Sequence, residues 1–168
     1  MQILDIQSIV GWEQARKTAK IKAKPMISLL TDRDVMTKFL LDTLEGREPI
    51  GPNAVFCIGQ AGDAWQQMPS KLLKGYNVVN IDDKGWMECE PKPEDVREYF
   101  QVTTDFLKNN TDFRDGTGFI HGQWGETVGN EPNLQRFEAG DFIVRSRVDH
   151  SDNWIVRRKI FLNTYTFL

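Results

Sequence analysis

Apolar and polar positions alternate with a period of two over several stretches of this chain. In "DFIVRSRV", Phe142 and Val144 share one face, while Ile143, Arg145 and Arg147 share the other. In "NWIVRRKIF", Trp154, Val156 and Ile160 face one way, and Ile155, Arg157 and Lys159 the opposite way. Both patterns predict antiparallel sheet with one buried and one wetter face. The second predicts a return strand from Trp154 to Phe161. Short apolar runs predict further strands over 26–30, 54–58, 76–81, 86–89 and 119–122. Asp82 to Gly85 reads as a hairpin loop with Gly85 in a left-handed position, and 149–153 as a second loop.

Helical spacing is rarer. Ile3, Ile6, Ile9 and Val10 follow it until Gly11 interrupts. Residues 31–46 predict a helix: Thr31 or Asp32 can cap it, Val35, Phe39, Leu40 and Leu44 form one face, and Gly46 stops it. "PEDVREYFQVTTDFL" reads as another helix, with Pro93 in its first turn and Val96, Tyr99 and Phe100 inward. Between these, "AWQQMPSKLL" reads as irregular because of Pro69.

The polar stretch "NNTDFRDGTG", residues 109–118, reads as a linker. The expected organisation is a lead segment (1–24), a first α+β unit (25–108), the linker, and a second β-rich unit (119–168). The fold class is α+β, antiparallel and β-rich, with two weakly repeated strand-hairpin units and one or two packed helices. The repeat rests on "AVFCIGQ" against "TGFIHGQ", and on "GYNVVNIDDKGW" against "GDFIVRSRVDHSDNW".

Ala139-Gly140-Asp141-Phe142 and Phe161-Leu162-Asn163-Thr164-Tyr165 resemble the turn-strand and the close of the PGDYG-domain family, small proteins of bacteria and phages. Lys24-Pro25 with the 35–44 helix looks like that family's lead. Gly85-Trp86 through Cys89, Pro91 and Tyr99 looks like its hairpin and close. Ala139 and Phe142 depart from the motif's Pro and Tyr. The resemblance implies a phage or prophage setting and assigns no reaction.

Composition narrows the class. Of 168 residues 40% are hydrophobic and 27% charged, which is globular. The net charge of −3 argues against binding nucleic acid over the whole surface. The first residues lack a signal-peptide pattern, and no window has the apolar length of a membrane span. Cys57 and Cys89 read as buried thiols rather than a redox pair, which favours a reducing, cytoplasmic setting. No cofactor or metal is implied.

Chemistry is sparse. His121, with Asp63 or Glu126, is the candidate catalytic group, because an imidazole beside a carboxylate can act as general base. Residues 82–98 are rich in acids, while 145–159 carry Arg145, Arg147, Arg157, Arg158 and Lys159. That asymmetry makes Arg145, Arg157 and Arg158, with Trp86 and Trp154, the candidate contact residues. The reading is a non-enzymatic binding protein engaging a host protein or a small anionic ligand, with a homodimer open. Alternatives are a small hydrolase or transferase using His121, and nucleic-acid binding through the basic face.

Overall fold

Most of the stretches expected to be strand are paired strand in the computed structural model, which describes residues 2–30, 40–43, 46–110, 113 and 115–168; the expected strand at 26–30 is instead a 3-10 turn, Met26–Ser28. The early strands are β1 (Glu13–Lys17), β2 (Ile21–Pro25), β3 (Leu40–Thr43), β4 (Gly46–Pro49), β5 (Val55–Ile58) and β6 (Ala64–Gln67). Helix α1 (Pro69–Gly75) leads to β7 (Tyr76–Ile81), β8 (Met87–Pro91) and β9 (Val96–Gln101). After α2 (Thr104–Asn109) come β10 (Thr117–Val128), β11 (Glu131–Glu138), β12 (Phe142–Ser146) and β13 (Asn153–Val156). Helix α3 (Arg158–Thr164) and β14 (Tyr165–Phe167) close the order. Mostly antiparallel sheet, with three short helices among the described residues, makes the class α+β.

Two five-stranded antiparallel sheets dominate. Sheet one runs β13-β12-β9-β1-β14, and sheet two runs β6-β5-β2-β8-β7. They share an order of elements. In each, a hairpin (β12-β13 or β5-β6) fills one side. A seven-residue helix then leaves the hairpin's outer strand and crosses to the opposite edge. There a strand begins with a buried tyrosine, Tyr165 or Tyr76. Beneath each helix lies its fully buried apolar residue, Phe161 or Leu72. The fifth strand differs in origin. β8 follows β7 through a hairpin turn, whereas β1, in the matching place, arrives from the other end of the chain.

This correspondence is not the expected repeat. "GYNVVNI" forms an edge strand after a helix, while "GDFIVRS" forms an inner strand after a turn, so their likeness is one of sequence and not of structure. "TGFIHGQ" lies in the separate β10-β11 hairpin, whereas "AVFCIGQ" lies in sheet two. The expected linker does not divide the sheets either, since β9 before it pairs with β12 after it.

Other expectations change for physical reasons. Residues 96–101 form a strand because β-branched and aromatic side chains suit a site between two pairing partners, β12 and β1. The helix starts later, at Thr104, where the Thr103 hydroxyl accepts from the Phe106 N–H at 3.1 Å. Pro69 opens α1 instead of breaking a helix, since a first-turn residue needs no N–H partner. The return strand stops at Val156. A helix then brings Ile160 and Phe161 to one core, where a strand would send them to opposite faces. Most of the predicted 31–46 helix lies outside the described residues, and residues 40–43 are strand, paired with β4. The Ile3 to Val10 stretch yields a single 3-10 turn, Ile6–Ser8, capped by Asp5. Gly85 does take positive φ, at 83°, in the Asp82–Trp86 turn.

The wetter face expected of β12 is absent, as all five of its residues are buried. Phe142 and Val144 pack with Phe161, Tyr165 and Tyr99 on one side. Ile143 packs on the other with Ile120, Phe137, Val102 and the N-terminal Leu4, Ile6 and Ile9. Sheet one is thus the middle layer, covered by the β10-β11 hairpin and the N-terminal segment. The Phe142 and Phe161 rings stack at 3.9 Å, an interplanar angle of 6°.

A candidate ligand cavity between the two sheets

Both sheets contribute to one cavity of about 380 Å³. Its size lies in the lower part of the roughly 300–1,000 Å³ range of small-molecule sites. The equivalent elements line it in pairs. Trp65 of β6 and Trp154 of β13 supply two half-buried indoles, and Tyr76 and Tyr165 supply two buried phenols. The interval from Trp65 to Tyr76 equals that from Trp154 to Tyr165. That follows from one local design: an edge strand, a proline- or arginine-initiated single helix of equal length, and a tyrosine opening the next strand.

Lys17 ends β1, registered against Tyr165. Its ammonium lies 5.9, 5.6 and 5.8 Å from the ring centres of Trp65, Tyr76 and Tyr165. A cation over ring faces is attracted by their quadrupoles. Arg97 of β9 sits over Trp154 at 5.4 Å and pairs with Asp95 at 3.0 Å. Asp152 is shared at longer range by Arg97, 3.9 Å, and Lys71, 3.8 Å.

Polar satisfaction singles this cavity out. Five buried side-chain atoms have no hydrogen-bond partner among the described residues: Asp63 Oδ1, Tyr76 Oη, Arg97 Nε, Asn153 Oδ1 and Tyr165 Oη. All five residues line the cavity. Burial raises both phenols above the ordinary tyrosine range, so both remain neutral donors at neutral pH. Unsatisfied buried polar atoms each cost stability and are scarce in folded proteins, so their convergence on one space needs a reason.

The residues proposed from sequence are scattered. Asp63 and Trp154 line the cavity. His121 and Glu126 lie on β10, outside its lining, both registered against Leu134 across a bulge. His121 is exposed, with Nε2 3.8 Å from Glu131 Oε2. Arg145 is buried: its Nε donates to Glu98 Oε1 at 3.0 Å, and its guanidinium lies 3.9 Å from the Trp12 ring centre. Arg157 Nη1 pairs with the buried Asp141. Arg158 is exposed on α3. Trp86 is half-buried, edge-on to Phe56 and 5.5 Å from the Lys24 ammonium. The acidic and basic stretches meet in part through Glu98 and Arg145.

Lys17, Trp65, Tyr76, Arg97, Asn153 and Tyr165 were not legible as site residues. The equal Trp-to-Tyr interval is the signal that finds three of them, Trp65, Tyr76 and Tyr165. Among the described residues no three His, Cys, Asp or Glu side chains are placed to hold a metal ion. No helix among them is long and apolar enough to cross a membrane. No family model, curated protein or solved structure matches the chain.

Proposed function

We propose that the protein is a non-enzymatic binding protein whose ligand is a small molecule held in the cavity between the two sheets. One observation carries this reading: the five unpartnered buried polar atoms all belong to residues of that cavity. A site built of apolar and aromatic walls with a few convergent polar groups is the usual form of a small-ligand pocket. A hydrolase or transferase draws less support, because His121 and Glu126 stand outside the lining that holds Asp63. The resemblance to PGDYG-domain proteins supports an accessory role in a phage or prophage.

A fragment screen by ligand-observed NMR on the full chain tests the reading. Bound fragments are expected to quench tryptophan fluorescence and to lose affinity in Trp65→Ala and Trp154→Ala. Hits indifferent to both substitutions, or no hits, refute it.

A host-protein partner has one supporting observation. β7 is an edge strand of sheet two, and it exposes Val78, Val79 and Ile81. Long apolar edges invite strand addition by another chain. Val79→Lys should abolish a captured partner on this reading and leave fragment binding unchanged.

A further inference from the structure

The charged groups of the cavity sort into two sets. Arg97, Lys71, Asp95 and Asp152 neutralise one another through contacts of 3.0 to 3.9 Å. Lys17 and Asp63 remain, one of each sign. Neither forms an ion pair within 4.0 Å among the described residues. Lys17 has aromatic faces around it, which attract its charge but accept no ordinary hydrogen bond, and among the described residues its ammonium has no hydrogen-bond acceptor. Asp63 Oδ1 is buried without a donor. The Tyr76 and Tyr165 hydroxyls are further donors without acceptors.

Each simple ligand class leaves something unmet. An anion satisfies Lys17 and the phenols but meets Asp63 with like charge. A cation satisfies Asp63 but meets Lys17. A neutral apolar molecule covers both charges and pairs neither, the costliest arrangement for buried ions. A molecule with both charges and an apolar remainder satisfies all of them.

We propose that the cavity takes a zwitterion of amino-acid size, with its carboxylate toward Lys17 and the tyrosine hydroxyls, its ammonium toward Asp63, and its apolar part against Trp65 and Trp154. The assignment rests on the cavity being the ligand site. It replaces the anion expected from the basic stretch at 145–159 with a ligand of no net charge. Arg145 and Arg157 of that stretch are already paired within the fold.

Calorimetry with four probes on the full chain tests it: phenylalanine, phenylpropionate, phenethylamine and phenylethanol. These share a phenyl ring on a short chain and carry both charges, the carboxylate alone, the ammonium alone, or neither. Phenylalanine is expected to bind about tenfold tighter than either singly charged probe, as charge-assisted hydrogen bonds imply. Lys17→Met should erase the preference for phenylalanine over phenethylamine, and Asp63→Asn its preference over phenylpropionate. Lys17→Arg keeps the charge and should keep the first preference. If Lys17→Met does not fold, the wild-type ranking and Asp63→Asn still decide. Equal binding of all four probes, lost in Trp154→Ala, overturns the zwitterion and leaves the cavity reading standing. Fragment hits in the cavity without phenylalanine binding do the same. No cavity binding by probes or fragments overturns both.

Discussion

Tyr76 and Tyr165 begin β7 and β14, the equivalent edge strands of the two sheets, and both line one cavity with buried hydroxyls that have no hydrogen-bond partner among the described residues. Neither phenol is explained by its own sheet, since each sheet's core needs only the ring. The pairing of two such residues across the sheets is what the proposed ligand-binding reading explains.

The three tyrosines of the chain give a test in alkali. Burial lifts Tyr76 and Tyr165, and burial with the Glu13 hydrogen bond pushes Tyr99 up to about 12. Each favours its neutral form in the fold and ionises near 10.0 when unfolded. Their stabilising effect is therefore complete below that pH and is lost as pH rises toward the folded-state values. Tyrosinate absorbance should appear together with loss of the native near-ultraviolet circular dichroism. Tyrosines that titrate near 10 in the folded protein contradict this account.

Arginines of the basic stretch should differ sharply in their effect on stability. Arg145→Met leaves Glu98 without its short contact and removes the cover over Trp12, at a cost of about 3 kcal/mol. His150 Nε2 lies 3.3 Å from the same carboxylate oxygen. Arg158→Glu, on an exposed position, should stay within about 0.5 kcal/mol. Urea unfolding of the two variants separates them; equal effects mean Arg145 is not part of the core.

Leu72 and Phe161 are equivalent side chains under α1 and α3, and both are fully buried. Leu72→Ala should cost about 2–5 kcal/mol and Phe161→Ala about 3–5 kcal/mol. Phe161 stacks on both Phe142 and Tyr165, so its loss also frees the Tyr165 ring. An earlier titration of Tyr165 in Phe161→Ala is the accompanying signature.

Cys57 and Cys89 should behave as inert core thiols. Burial pushes the Cys57 thiol up to about 11, only partly offset by the hydrogen bond from Gln67, and raises Cys89 as well. Disulfide-exchange reagents should label neither until the protein unfolds. Fast labelling of one native thiol would revive a reactive role.

Legibility from sequence followed the range of the interactions. The strand cores at 55–58, 76–81, 87–89 and 142–146 and the Gly85 turn depend on local alternation and turn chemistry, and they were readable. Val96 to Gln101 was not, because its strand state comes from β12 and β1, remote in sequence. Phe161 was misplaced for a related reason: alternation alone cannot tell when a strand hands over to a short helix. The cavity was invisible, since Lys17, Asp63 and Arg97 acquire meaning only when the sheets are side by side.

The place of β1 has a consequence for biogenesis. β1 lies between β9 and β14, and Thr18 and Thr166 share a hydroxyl contact of 3.0 Å across 148 positions. Sheet two draws all its strands from residues 21–91 and can close while the ribosome is still extending the chain. Sheet one cannot, because a strand made early must wait for one made late, and closing so long a loop is slow. A nascent chain halted before Tyr165 would hold one finished sheet beside an open one. Its β1 would offer a bare edge to chaperones and to other chains, which makes the docking of β14 the step that ends exposure to aggregation.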